Sequence, residues 1–294
     1  MTRLISKVQY KNFEAGEFID IKERDYEGTI KKIQNFPWNE QRDKIVIDLT
    51  NPSITIEGKN DDFLKCALFY HNKYVLHYFD ETQVLYTKSF INLPDTYEYI
   101  KSFFDLAIFN TNDFKRENTW LQHTSKHFHT QDFRYFVTVK SIRNYLISTS
   151  WMSFCVSIML LIIYLYKSHG SFNLPGIIFL ISAMFLMGGG LHLFLFFNYY
   201  NYVKDKVLIM SKGNDTFYFG NIKQPKMYNK KDIIKYTVVA KRGTKSMFYG
   251  FAIVKIELKN GMVLEIPNLL INNTSLENKL SEYPRNNEGK FPLI

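Results

Sequence analysis

Residues 146–166 read LISTSWMSFCVSIMLLIIYLY, and residues 174–197 read LPGIIFLISAMFLMGGGLHLFLFF. Between Asn144 and Val203 the only formal charge is Lys167. The hydrocarbon core of a bilayer, about 30 Å thick, takes roughly 20 apolar residues at about 1.5 Å rise each. Both runs reach that length, so they predict a membrane protein with a two-helix transmembrane hairpin at residues 146–198 and spans at 146–166 and 174–197. One such run alone also reads as the buried helix of a large globular core. Two in tandem, separated only by residues 167–173, favour the bilayer. The N-terminal stretch MTRLISKVQYKNFEAGEF has no apolar signal-peptide region.

The flanking charges set the expected sidedness. Lys126, Arg134, Lys140 and Arg143 precede the first run, and Lys204, Lys206 and Lys212 follow the second. The connecting loop carries Lys167 alone. Basic flanks stay in the cytoplasm, which predicts an inner-membrane protein with two spans and both termini cytoplasmic. Neither run holds an Asp, Glu, Lys or Arg, and His192 is the single imidazole. A transport pathway normally needs buried polar groups, so none is expected. Gly188–Gly190, Ser153 and Ser157 are small residues that let helices approach, within the hairpin or in a homo-oligomer.

Outside the hairpin the charge is uneven. Residues 1–147 carry 20 basic and 20 acidic side chains, whereas residues 199–294 carry 16 and 8. The basic excess of the C-terminal part would lie against an anionic leaflet, making the lipid bilayer a partner. Lys223, Lys226, Lys230, Lys231 and Lys235 lie in or beside its strand connections. The stretch Lys241-Arg242-Gly243-Thr244-Lys245 is a glycine-containing turn with three cations and no acid. Such a turn can cradle a phosphate, so Lys241, Arg242 and Lys245 form the candidate lipid-headgroup site; a solvated loop is the plainer reading. Nucleic acid is not an expected partner, since neither an aromatic-interleaved recognition motif nor a zinc pattern is present.

Residues 1–105 read as an α+β domain built on an antiparallel meander. Asp25 is placed to cap a helix that Pro37 stops. Strand-like runs follow at Lys44–Leu49, Ser53–Glu57, Phe63–Tyr70, Tyr74–Phe79 and Val84–Phe90, and a helix at Asp95–Phe104. No catalytic residues are expected. Asp48, Glu57, Asp61 and Asp62 are close in sequence, but no phosphate loop, nucleophile elbow or Cys/His spacing accompanies them. Residues 106–145 form a juxtamembrane connector in which His123, His127 and His129 invite a metal reading. The third imidazole leaves the helical face of the first two, so no metal and no cofactor are expected. Two cysteines, Cys66 and Cys155, cannot build a disulfide framework.

Residues 199–294 read as a basic, mostly-β domain with a loose tail. After a strand ending at Tyr228 come Asp232-Ile233-Ile234-Lys235-Tyr236, then Lys255-Ile256-Glu257-Leu258, the turn Asn260-Gly261, and Leu264-Glu265-Ile266. This order resembles the pleckstrin-homology-like domains of bacterial membrane proteins. The resemblance implies a barrel-like sheet closed by a C-terminal helix and carries over no binding residue. In the N-terminal part, Pro52–Glu57, Leu64-Lys65, Tyr74–Leu76, Tyr86–Ser89 and Ile100–Phe104 are similar to small immunity-type domains of bacterial proteins. Together these readings predict a non-enzymatic membrane protein that presents two cytoplasmic binding modules. One version is an immunity protein whose partner is a toxin or a regulatory protein. The alternative is a membrane-anchored lipid or membrane-state sensor working through its basic domain.

Overall fold

The computed structural model describes residues 2–42, 49–105, 109–118, 124–167, 174–178, 190–240 and 250–294. The chain divides into two compact units, Met1–Phe133 with Ser211–Asn214, and Arg134–Met210 with Asp215–Ile294.

The first unit is built on one antiparallel sheet. Its strands are β1 (Leu4–Gln9), β2 (Ile19–Arg24), β3 (Ser53–Glu57), β4 (Phe63–Leu68), β5 (Tyr74–Phe79), β6 (Leu85–Phe90) and β7 (Lys115–Arg116), in spatial order β2-β1-β3-β4-β5-β6-β7. Short turns make β3 to β6 a meander, because neighbours in sequence pair most cheaply when antiparallel. Helix α1 (Tyr26–Gln34) begins at Asp25, whose carboxylate accepts from the Gly28 N–H at 2.8 Å. Helix α2 (Tyr97–Phe104) follows a 3-10 turn started by Pro94. Ile30 and Ile33 of α1, and Ile100, Phe103 and Phe104 of α2, pack with Leu4, Val8, Ile54, Ile56, Leu64, Cys66 and Leu76 of the sheet. Of the expected strand Lys44–Leu49, residues 43–48 lie outside the described residues.

The second unit has two sheets. The first joins β8 (Arg134–Phe136), β9 (Lys206–Ile209), β10 (Thr216–Asn221) and β11 (Lys226–Asn229) in the order β11-β10-β9-β8. The second joins β12 (Ile233–Val239), β13 (Ile253–Leu258), β14 (Val263–Pro267) and β15 (Arg285–Glu288) in the order β14-β13-β12-β15. The turn between β13 and β14 is the Asn260-Gly261 pair, with Gly261 at φ +78° where a side chain would be strained. Among the described residues the unit also holds the helices α3 (Val139–Lys167), α4 (Leu191–Val203) and α5 (Asn273–Lys279). Thr138 and Ser141 cap the start of α3 reciprocally, each hydroxyl accepting the other residue's backbone N–H.

The expected transmembrane hairpin is corrected here. Among the described residues no helix is long and apolar enough to cross a membrane. The outer ends of the two apolar runs meet the second unit's core. Tyr145 and Leu146, at the start of the first run, pack there. The end of the second run is α4, 13 residues long, whose Leu195, Phe196, Tyr199 and Val203 are buried among strand residues such as Leu208, Phe217 and Phe251. Along the same helix Phe194 and Phe197 are exposed, so only one side of the described part of this run feeds the core. With the hairpin fall the two-span topology, the inner-membrane location and the assignment of both termini to the cytoplasm, all of which were inferred from spans at 146–166 and 174–197. Residues 168–173 and 179–189 lie outside the described residues.

Candidate functional site

The face of the N-terminal sheet turned away from α1 and α2 is polar and buried. Register partners Lys7, Thr55, Lys65, His77 and Thr87 run side by side across β1, β3, β4, β5 and β6. Residues directly opposed in neighbouring strands share a face, so these five form one row at about 4.8 Å spacing. Lys7 and Lys65 are both essentially inaccessible to water. Lys7 donates to the Glu57 carboxylate at 3.1 Å and lies 4.8 Å and 5.1 Å from the centroids of Phe18 and Phe63. Burial lowers its ammonium pKa, and the Glu57 carboxylate only partly offsets this. The Lys65 ammonium donates to Gln9 Oε1 at 2.8 Å and to the carbonyls of Leu49 and His127. His77 is pushed down to about 3 by burial, with Lys65 and His127 adding to the shift, so its ring is neutral. At one end of the row Phe63, Phe79, Leu85, Leu49 and Phe128 form a small apolar cluster, with Phe79 and Phe128 stacked at 4.9 Å.

At the exposed rim the structure joins two groups that were separate in the sequence. His129 Nε2 lies 2.9 Å from Asp61 Oδ1, and its Nδ1 lies 3.1 Å from Ser125 Oγ and 3.0 Å from the Ser125 carbonyl. The set has the residue types of a Ser-His-Asp constellation, and the tautomer of His129 sets which of its ring nitrogens donates. The Cys66 thiol is buried and pushed up to about 12, which leaves it unreactive. His127 is buried away from His129, and His123 lies outside the described residues, as does Asp48. Among the described residues no group of three His, Cys, Asp or Glu side chains is placed to hold a metal.

In the second unit, Lys241, Arg242 and Lys245 lie outside the described residues. Two sets of the remaining cations differ in their pairing. On the second sheet Lys235 pairs with Glu257 at 3.2 Å and Lys255 with Glu265 at 2.7 Å, each with its register partner, so that face is neutralised. Lys223 and Lys226 on the β10–β11 hairpin and Lys231 in the 3-10 turn after β11 are exposed, and no carboxylate among the described residues comes within ion-pair distance of them. Beside them Tyr218, Ile222 and Met227 are exposed apolar side chains. Tyr218 and Met227 are register partners, and they continue through Ile209 to Arg134 as one outward row across the sheet. Sequence reading missed this row because it needs β8, a three-residue strand too short to show alternation.

The family model described as a PH domain matches residues 134–279. Those limits are the first residue of β8 and the last of α5. The second unit is therefore PH-like: four strands, three strands and a closing helix, with α3 and α4 carried between the first and second strands. PH domains generally bind lipids or proteins. No curated protein and no solved structure matches the chain.

Proposed function

We propose that this is a binding protein rather than an enzyme, and that its PH-like unit engages anionic phospholipid headgroups. The observation that supports this is the β10–β11 hairpin. It combines two exposed lysines, Lys223 and Lys226, with the exposed apolar side chains Ile222 and Met227, and exposed Lys231 follows in the next turn; among the described residues none of the three has a carboxylate at ion-pair distance. Cations near an anionic leaflet contribute about 1 kcal/mol each, and apolar neighbours add burial at the headgroup boundary. The buried, inert Cys66 thiol supports a non-catalytic role. The near-neutral N-terminal unit is the second module, for a protein partner such as a toxin or a regulatory protein.

Co-sedimentation of the full chain with vesicles tests the lipid reading. Binding to phosphatidylserine-containing vesicles is expected, with little to phosphatidylcholine alone, and it weakens as salt rises above about 0.1 M. Equal partition to both vesicle types would refute it.

A further inference from the structure

The last turns of α3 carry an apolar stripe that the second unit leaves exposed. The helix runs from Val139 to Lys167, and its beginning is anchored, since Ile142, Tyr145 and Leu146 pack against or within the unit's core. Farther along, Ile158, Met159, Ile162, Ile163 and Tyr166 are all exposed, Met159 at 61 %, Ile162 at 60 % and Tyr166 at 85 %. At 3.6 residues per turn these five positions fall within an arc of about 140°, so they form one side of the helix. Residues 158–166 read IMLLIIYLY and hold no formal charge; the exposed Lys167 follows directly.

A contiguous stripe of this kind marks a surface that another apolar surface covers. From Ile158 to Tyr166 it is about 12 Å long, well under the roughly 30 Å of a hydrocarbon core. Its spacing is that of a helix–helix seam. Met159, Ile162 and Tyr166 step by three and then four residues, as a and d positions do, and Ile158 and Ile163 flank them. With no charge or amide in it, the stripe complements an apolar stripe of the same period, and α3 of a second copy presents one. The five exposed side chains offer roughly 600 Å² per copy, or about 1,200 Å² for a pair, which reaches the lower end of what specific interfaces bury.

We propose that the chain forms a homodimer through this stripe, with the two α3 helices antiparallel about a two-fold axis at Ile162. Ile162 is the midpoint of Ile158–Tyr166, so this placement overlaps the whole stripe and sets Tyr166 of one copy beside Ile158 of the other. Charge selects the antiparallel sense. A parallel pair would put the two Lys167 ammoniums side by side, whereas the antiparallel pair separates them by about 15 Å along the axis. Length allows it as well. Each helix then ends level with Ser157 of the other copy, about 16 Å short of Leu146, where the unit's core begins. The inference stands apart from the lipid reading, which concerns the β10–β11 hairpin.

Sedimentation velocity of the full chain in lipid-free buffer is the test, up to about 50 μM, where a micromolar dimer is well populated. The parent is expected to run as a dimer. Ile162→Glu and Ile162→Lys, each alone, bring two like charges together in an apolar seam and should raise the dimer Kd at least about 100-fold. Mixed in equal amounts, the two variants should recover the dimer, because glutamate then faces lysine across the two-fold axis. The proposal is overturned by a monomeric parent, by a species larger than two copies, or by a parent that stays in solution only with detergent or lipid. A dimer indifferent to either charge, or a mixture that stays monomeric, overturns it too. Should the charged variants not fold by circular dichroism, Met159→Ala with Ile162→Ala keeps strong helix formers and should weaken the dimer at least about tenfold, and unchanged association then refutes the seam.

Discussion

Lys7 on β1 and Glu57 on β3 form an ion pair at 3.1 Å in which the two ends are unequally buried: the lysine side chain is 1 % exposed and the glutamate 35 %. The lysine depends on the pair, and the glutamate can be hydrated without it. Glu57→Gln therefore leaves a buried ammonium short of its counter-charge and is expected to lower stability by about 1–3 kcal/mol. Lys7→Met removes the buried charge, leaves Glu57 to water, and should cost less than Glu57→Gln. Urea denaturation of both variants, followed through the N-terminal unit's transition, checks the order. Lys7→Met costing more than Glu57→Gln would show that the ammonium's ring contacts outweigh its need for the carboxylate.

His77 gives a pH signature. Its folded pKa, about 3, lies below the ordinary 6.5, so the unfolded chain takes up a proton that the folded chain refuses. The stability contributed is present above the unfolded value and is lost as pH falls toward the folded one. Between pH 7 and pH 5 the loss should be roughly 2 kcal/mol, and His77→Gln should flatten that slope. Lys65 and His127, which face the ring, remain in the variant, so thermal unfolding at the two pH values isolates the imidazole. An unaltered slope in His77→Gln would place the pH dependence elsewhere.

Gly16 is held at φ +76°, and a Cβ there would stand 2.7 Å from the carbonyl oxygens of both His129 and Lys126. Backbone cannot give way as a side-chain tip can. Gly16→Ala is expected to cost about 1–3 kcal/mol from the left-handed backbone alone, and more from the contact. Because the Gly16 carbonyl also accepts from the Gln131 N–H at 3.0 Å, the loosening should appear as faster amide exchange around residue 131.

Lys223→Glu, Lys226→Glu and Lys231→Glu together should abolish measurable binding to phosphatidylserine vesicles. Loss of three favourable contacts at about 1 kcal/mol each already predicts a fall of roughly 100-fold. The three side chains are exposed, so circular dichroism and melting temperature should stay unchanged. Binding as tight as the parent's would move the lipid contact off this hairpin.

Local signals in the sequence were enough for the helix at Asp25, the meander from Ser53 to Phe90, the Asn260-Gly261 turn and the PH-like order of the C-terminal strands. Each depends on neighbours within a few residues: a cap, a period of two, a turn dipeptide. β1 escaped that reading because Ser6, Lys7 and Gln9 interrupt its apolar pattern although all three are buried. A lysine is taken as a mark of solvent, and only the fold supplies the Glu57 and the two rings that let Lys7 go inside. Hydrophobicity was likewise read correctly as a need for burial at Leu146 and at Leu195–Phe196, but the sequence does not say what does the burying. A bilayer and a protein core remove the same apolar surface from water at about the same gain per Å². For Leu195 and Phe196 tertiary packing with Leu208, Phe217 and Phe251 supplies the burial. The same holds for His129 and Asp61, which are 68 residues apart in the chain and 2.9 Å apart in space. Composition and periodicity determined which segments form strands and helices, and long-range contact alone determined which charges are paired, which are buried, and which are left for a ligand.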